Sequence, residues 1–402
     1  MAIIVQKFGG TSVADISRFQ SAAATVAREV AAGYQVVVVV SAMAGETNRL
    51  IELTKQLSMA PDAAEYDVIT SSGEQVSCGL FSIALQERGI PARSLLGWQV
   101  PLRTCDNHSR ARYQQIVADV IKSELDKGNV VVVPGFQGVS PEGRITTLGR
   151  GGSDITAVAT AAALGAERCD IYTDVQGVYT ADPRIVSQAK LLDKLSYEEM
   201  MELSSEGAKV LQNRAVSLAM NQQVPVRVLS SFEDAPGTWI VTEDQVMEKG
   251  TVRGITHSMG EVSIAVKGLK DQPGMGAKIF VPLAHGNIPV DMITHTAAVD
   301  GKVDLCFTTP LEDVERVKGI LTAEKDAIGF ESLIVNPDVA KVTIVGTGLR
   351  NHPQITSKAF EVLAEMGVHI HRTSTSEIKL SFLISREYAE LAVRSLHKGY
   401  NL

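Results

Sequence analysis

Five consecutive valines, Val36 to Val40, leave a chain few options. A continuous β-branched run reads as a strand covered on both faces, because a half-exposed strand would alternate and an amphipathic helix would interpose polar residues. Similar short runs recur at Ile3-Ile4-Val5, Val130 to Val133, Asp170 to Thr173 and Val224 to Leu229. Between them lie segments of helical period, such as Ile16, Phe19, Ala23, Val26 and Val30. This alternation, which holds up to about residue 245, predicts an α/β domain with a mainly parallel sheet sandwiched by helices. Such sheets bind ligands beyond the carboxyl ends of their strands. The loops after these runs are rich in Gly, Ser, Thr and Asp, and chemistry is expected there.

At 402 residues the chain exceeds one ordinary core. Pro236-Gly237 and the polar stretch Thr242 to Lys249 mark a boundary within residues 234 to 250. Beyond it the chain repeats at an offset of 80: Pro273, Lys278, Phe280, Leu283, Ala284, Ile288 and Val290 align with Pro353, Lys358, Phe360, Leu363, Ala364, Val368 and Ile370. Each copy reads strand, proline loop, amphipathic helix, strand and a further strand, so two small α+β modules are expected. They fit a duplicated scaffold or an effector sensor. The expected domains are 1–245, 262–335 and 341–402, with a strand near 251–258 available to the last.

The net charge of −8 and the lack of a basic block exclude a nucleic-acid footprint. Four scattered cysteines, without C-x-x-C spacing, suggest reduced thiols. With no apolar stretch near the roughly 18 residues of a span and no leader pattern, a cytoplasmic protein without membrane contact is expected. The histidines form neither a Ser-His-Asp order nor H-E-x-x-H, which disfavours hydrolase and metalloenzyme readings.

Two glycine-rich loops stand out. Lys7-Phe8-Gly9-Gly10-Thr11-Ser12 lies between the first strand and a helix, where unpaired N–H groups favour an anion. The same residues fit a tight turn with Thr11, Ser12 or Asp15 as N-cap. Gly149-Arg150-Gly151-Gly152-Ser153-Asp154 precedes a helix expected over Ile155 to Leu164. There Arg150 can grip a carboxylate with two parallel hydrogen bonds, and Asp154 fits an N-cap, a partner for Lys7 or a partner for an amino group. Two anion-binding loops suit transfer of a phosphoryl group to an anionic acceptor, since both must be neutralised.

Other candidates are weaker singly. Glu74, ahead of a helix expected over Val76 to Gln86, fits an ammonium ligand or a helix-favoured carboxylate. Ser41 and Thr47 follow the valine strand and fit substrate hydroxyls or turn residues. Thr173, Asp174, Tyr179 and Arg184 lie in a long loop that could hold a nucleotide or fold by Asp-Pro turn chemistry. Lys209, on a helix expected from about Ala208 to Met220, is a phosphate contact or a solvated lysine.

Taken together, Lys7 to Ser12, Val40-Ser41-Ala42-Met43, Ser72-Gly73-Glu74, Pro134 to Gly138, Leu148 to Asp154, Tyr172-Thr173-Asp174 and Asp182-Pro183-Arg184 resemble the motifs of aspartate kinases, within the amino acid kinase superfamily. The repeats resemble paired ACT domains of ferredoxin-like type, Ser374-Thr375-Ser376-Glu377-Ile378 being a piece of the second. The resemblance implies transfer from ATP, with Mg²⁺, to L-aspartate, giving 4-phospho-L-aspartate on the route to lysine, threonine and methionine. It implies Lys7, Arg150 and Asp154 as catalytic residues. Aspartate would meet Ser41, Thr47, Glu74, Arg150, Gly151, Gly152 and Ser153; nucleotide would meet Lys7, Gly9, Gly10, Thr173, Asp174, Tyr179, Arg184 and Lys209. No protein metal site is implied. Another amino acid kinase, acting on acetylglutamate, glutamate or a nucleotide, and a ligand sensor with a decayed kinase domain are the alternatives.

The resemblance further implies a homo-oligomer through the ACT units, with lysine or threonine as effectors near Asp271, His295, Thr296, Ser374 and Thr375. Where the family has Gln-Asn after Val-Asp-Met-Ile-X, this chain has His295-Thr296, so weakened or altered inhibition is expected. Met247 is a linker residue or an internal start for a separate regulatory subunit, as in some relatives. The end at Leu402 implies the monofunctional form, without the fused homoserine dehydrogenase of others.

Overall fold

A computed structural model describes residues 1–208, 210–246 and 252–402. The chain divides into two compact units, one of Met1–Tyr179 with Leu191–Glu248 and the other of Thr180–Lys190 with Lys249–Leu402. Lys209 and Met247 lie outside the described residues.

The first unit runs β1 (Ile3–Phe8), α1 (Ile16–Ala31), β2 (Gln35–Val40), α2 (Glu46–Leu57), α3 (Ala63–Thr70), α4 (Ser72–Gln86), β3 (Ala92–Ser94), β4 (Leu102–Thr104), β5 (Tyr113–Ile116), α5 (Asp119–Asp126), β6 (Val130–Pro134), β7 (Gln137–Val139), β8 (Ile145–Thr147), α6 (Gly152–Leu164), β9 (Arg168–Thr173), β10 (Lys194–Ser196), α7 (Tyr197–Ser205), α8 (Asn213–Gln222), β11 (Val226–Ser230) and β12 (Thr238–Val241). Eight strands form one sheet in the order β10-β12-β11-β9-β1-β2-β6-β3. All its neighbours are parallel except β11 and β12. The valine run lies in its middle, every member at most 1% exposed.

Strand alternation divides β1 between the two faces. Ile4 and Phe8 join the core under α1 and α4, where Phe8 stacks on Tyr172 at 4.7 Å and meets Phe81 at 5.3 Å. Val5 and Lys7 take the opposite face, across which α6 packs. This helix, apolar nearly all round and rich in alanine, is buried almost throughout, as such a composition requires.

Between Gly9 and α1 lies a 3-10 turn, Gly10–Val13, and α1 starts at Ile16, where its apolar period begins, with Asp15, one of the three N-cap candidates, accepting from Arg18 N–H. The first glycine pair therefore faces the amides of a turn, not of the long helix. Helices α4 and α6 start earlier than expected, because Gly and Ser lengthen them by one turn and place Glu74 and Asp154 inside them. Asp154 is thus not an N-cap; Gly151 holds that position at φ 68°. Helix α8 starts at Asn213, later than expected. The boundary stretch contains β12, which Pro236-Gly237 turns back against β11. A second sheet, β5-β4-β7-β8, had no clear signal because its strands are three or four residues long.

The second unit holds β13 (Gly254–Ser258), β14 (Glu261–Lys270), α9 (Met275–His285), β15 (Asp291–His295), β16 (Lys302–Pro310), α10 (Val314–Ala323), α11 (Lys325–Ile328), β17 (Ser332–Asn336), β18 (Val339–Val345), α12 (Pro353–Glu365), β19 (Ile370–Thr375), β20 (Lys379–Ser385) and α13 (Ala389–Tyr400). They make two antiparallel sheets, β15-β16-β14-β17 and β13-β18-β20-β19. Each repeat thus carries a fourth strand and further helix beyond its aligned residues, α10 and the short α11 in the first and α13 in the second. Ile279 and Leu283 of α9, and Ala359 and Leu363 of α12, are at most 1% exposed against their sheets. The segment Thr180–Lys190 joins the second module's core through Ala181 and Val186. No described helix is long and apolar enough to cross a membrane.

Asp170, fully buried on β9, accepts from Arg168 Nε at 3.1 Å and from Arg227 Nε at 2.9 Å; Arg168 also reaches Glu29 at 2.8 Å. Removing one partner of such a network leaves buried charge uncompensated. Asp170→Ala should lower stability by about 3 to 5 kcal/mol in urea unfolding; a loss below about 1 kcal/mol would mean that both arginines find water instead.

Candidate active site

Lys7 is the point where the chemistry-bearing loops meet. It stands near the carboxyl end of β1, between β2 at Val39 and β9 at Ile171. Its alternation toward α6 brings Nζ to 2.7 Å from Asp154 Oδ1, with both side chains about nine-tenths covered. Asp154 is fixed from behind by Gln212, whose main-chain N–H lies 3.4 Å from Oδ2. A buried lysine held by one carboxylate at a strand end is a fixed positive charge, suited to an anion in transit.

On the β2 side, Ala42 gathers three segments. A Cβ on Gly10 would come within 2.9 Å of the Ala42 carbonyl, and one on Gly73 within 2.8 Å of the Ala42 methyl. The two glycines therefore let the first turn and the start of α4 close on the loop that carries Ser41 and leads to Thr47 in α2. Glu74 is 3% exposed, and its Oε2 has no hydrogen-bond partner among the described residues. Burial pushes its carboxyl up to about 7, against the opposing main-chain amides of Ala42 and Glu74 itself. An orphaned buried acid of this kind is a ready ligand for a cation such as an ammonium group.

Arg150 lies across the same face. Its backbone carbonyl accepts from Gln212 Nε2 at 2.8 Å, while its guanidinium is exposed with no acid paired to it among the described residues. Gly151 and Gly152 lead into α6, and Ser153 packs against Gly135, whose N–H donates to Val40 O at 2.9 Å. The candidates of the acceptor side, Ser41, Thr47, Glu74, Arg150, Gly151, Gly152 and Ser153, thus all belong to loops and helix starts around the ends of β2 and β6.

On the other side of β1, Gly9 N–H donates to Tyr172 O at 3.2 Å and joins the first turn to the end of β9. Thr173 Oγ1 donates to Asp174 Oδ1 at 3.1 Å, and Tyr179 Oη to Gln176 Oε1 at 2.9 Å. Ser12 and Ser231 hydroxyls lie 2.5 Å apart. Ser231, after β11, went unnoticed in sequence; its signal is a polar pair, Ser230-Ser231, at the carboxyl end of an apolar run. Arg184 lies on the segment belonging to the second unit, and its exposed guanidinium binds Asp182, with Nη2 to Oδ2 at 2.6 Å. The Asp-Pro turn chemistry that made the segment a loop also engages the arginine locally.

Among the effector candidates, His295 ends β15 and Thr296 follows it, its Oγ1 accepting from Asp304 N–H at 3.0 Å. Ser374 and Thr375 end β19, and Asp271, after β14, donates its N–H to Gly301 O at 3.0 Å. Near these, Lys341 of β18 reaches Asp291 of β15 at 2.6 Å and ties the two modules together.

A sequence model of the Amino acid kinase family matches residues 2–230, and one of the ACT domain matches 262–324 and 342–400. The aspartate kinase of Pseudomonas putida is 48% identical over 403 residues, covering 100% of this chain and 98% of that protein. Aspartokinase 2 of Bacillus subtilis is 45% identical with the same coverage. Among solved structures, E. coli aspartokinase III in complex with aspartate and ADP (R-state) superposes with a TM-score of 0.84 at 30% identity over the whole of both chains. The same enzyme with lysine and aspartate (T-state) gives 0.78 at 29% identity over 99% of each.

Glu74 generates a test that needs no ligand. Its folded pKa of about 7 exceeds the ordinary 4.5, so its contribution to stability is fully present below about 4.5 and is lost as pH rises through 7. Glu74→Gln should therefore be more stable than wild type at pH 8, by roughly 3 kcal/mol, with little difference at pH 4. Urea midpoints at the two pH values decide it; a variant less stable at pH 8 would show that the carboxylate is stabilised there.

Proposed function

The chain belongs to the aspartate kinase family and is an ATP-dependent kinase of L-aspartate, and from that premise we propose how its residues carry the reaction. The observation that supports the assignment best is the buried Lys7–Asp154 pair between two groups of loops. Nucleotide phosphates lie on the β9 and β11 side, over Gly9, Gly10, Thr173, Asp174, Tyr179 and Ser231, with Lys209 as a further candidate. Aspartate lies on the β2 side. Glu74 receives its ammonium group, Arg150 grips its α-carboxylate, and Ser41, Thr47 and Ser153 supply hydroxyls.

This arrangement leaves the side-chain carboxylate of aspartate facing Lys7. An aspartate carboxylate is ionised at neutral pH, so no general base is required. The obstacle is repulsion between two anions, and Lys7, preorganised by Asp154, lowers it most where charge gathers in the transition state. Arg150 and Glu74 hold the acceptor in line. Among the described residues no group of three or more His, Cys, Asp or Glu is placed to hold a metal. Mg²⁺ would be held largely by phosphate oxygens and water, with one or two carboxylates such as Asp154 and Asp174. When bound, the ion neutralises phosphate charge.

The product, 4-phospho-L-aspartate, opens the route to lysine, threonine and methionine. The ACT modules sense an effector amino acid, lysine or threonine, and pair between chains through apolar surface such as Val281, Ile293 and Phe360, which is 41–50% exposed. Two features support sensing: the E. coli relative solved with lysine, and the ACT match. His295-Thr296 alters the effector site.

The deciding assay is ATP-dependent aspartyl hydroxamate formation, with glutamate and acetylglutamate as controls. Activity confined to aspartate is expected; a preference for either control would overturn the substrate assignment. Lys7→Ala should fold yet lose about a hundredfold to a thousandfold in kcat, and wild-type turnover would reject its role. Lysine and threonine, alone and together, should inhibit weakly; strong concerted inhibition would contradict the altered site.

A further inference from the structure

Asp67 takes no part in the reaction described above, yet few polar groups in the molecule are so fully engaged. It lies on α3, completely buried, and its two oxygens collect donors from two separate segments. Ser109 donates its N–H to both oxygens, at 3.1 and 2.9 Å. Thr147 donates its N–H to Oδ2 at 3.0 Å and its hydroxyl to Oδ1 at 2.6 Å. His108 Nδ1 lies 2.9 Å from Oδ2.

Both segments bear on one loop. Thr147 ends β8, and Leu148-Gly149-Arg150 follow directly. Ser109 sits at φ 66°, a conformation that costs a non-glycine residue energy unless its surroundings impose it. Its carbonyl backs onto Gly149, where a Cβ would come within 3.2 Å. Arg214 of α8 closes the same frame, donating to Leu148 O at 2.7 Å and Ala111 O at 2.9 Å, while Ala111 N–H donates to Thr147 O at 2.9 Å.

Among the described residues the Arg150 guanidinium has no side-chain partner to aim it, so its direction is set by the backbone that this frame fixes. We propose that Asp67 is a positioning residue for the acceptor: by clamping Ser109 and Thr147 it sets the Leu148 to Arg150 backbone and aims the Arg150 guanidinium at the substrate α-carboxylate. The inference rests on the assignment of Arg150 to aspartate. A carboxamide in place of Asp67 would turn an N–H group toward main-chain N–H donors, and the loop would shift. Displacements near 1 Å at a positioning group can cost about a hundredfold.

The test is steady-state kinetics on full-length wild type, Asp67→Asn, Arg150→Ala and the double variant, varying aspartate and ATP separately. Asp67→Asn should raise KM for aspartate about 10- to 50-fold and leave KM for ATP within about twofold, as no contact of Asp67 lies on the donor side. Because Asp67 acts through Arg150, the double variant should be little worse than Arg150→Ala alone. Equal rises in both KM values, an unchanged KM for aspartate, or losses that multiply in the double variant would each overturn the proposal. Should Asp67→Asn not fold, Thr147→Val, which deletes the 2.6 Å hydrogen bond, should show the same split at several-fold, and its absence would overturn the proposal. Arg150→Ala with a wild-type KM for aspartate would remove the assignment of Arg150 and this inference with it; a large effect there beside none for Asp67→Asn removes the inference alone.

Discussion

The ion pair between Lys7 Nζ and Asp154 Oδ1, 2.7 Å apart and mostly covered, ties helix α6 to β1, the strand on whose two sides the chemistry of the first unit divides. On one side of β1 the neighbours are β9 and β11, whose ends carry hydroxyls and exposed turns; on the other are β2 and β6, whose ends carry Glu74, Arg150 and Ser153 within reach of their loops. An open α/β sheet places its ligands at such a switch in strand order. The ion pair fixes a positive charge there in advance, so reorganisation is not needed at the moment of transfer.

That preorganisation has a cost borne by neighbouring groups. Glu74 is buried without a partner for one oxygen among the described residues, and Ser109 holds a left-handed backbone. Each departs from what stability alone would select, and both lie on the acceptor side. On the proposed assignment, the substrate ammonium group completes the pairing of Glu74, and its α-carboxylate meets Arg150.

Much of this was legible in the sequence, for identifiable reasons. Runs such as Val36 to Val40 have one reading, and all became central strands. Lys7 and Arg150 stood out because glycines flank them, and glycine spacing survives translation into backbone geometry. Asp154 was readable as a partner for Lys7 or as an N-cap, and the parity of β1 with the early start of α6 decides for the partner; periodicity placed that start at Ile155 because Gly152 and Ser153 resemble loop residues. Asp67 gave no signal: an aspartate in a short helix is commonplace, and its importance arises only when Ser109 and Thr147, 42 and 80 positions away, converge on it. Arg184, a motif residue, lies on a segment that belongs to the other unit, where Asp182 engages it. Lys209 lies outside the described residues and stays a sequence proposal.

If Lys7 and Asp154 work as one device, their removal cannot be independent. A double-mutant cycle on the single-turnover rate of phosphoryl transfer, using Lys7→Ala, Asp154→Ala and the pair together, measures that directly. Each single variant should lose about a hundredfold or more, and the double should be no slower than Lys7→Ala alone. Losses that multiply would contradict a joint role and would leave the 2.7 Å contact a structural ion pair beside the site.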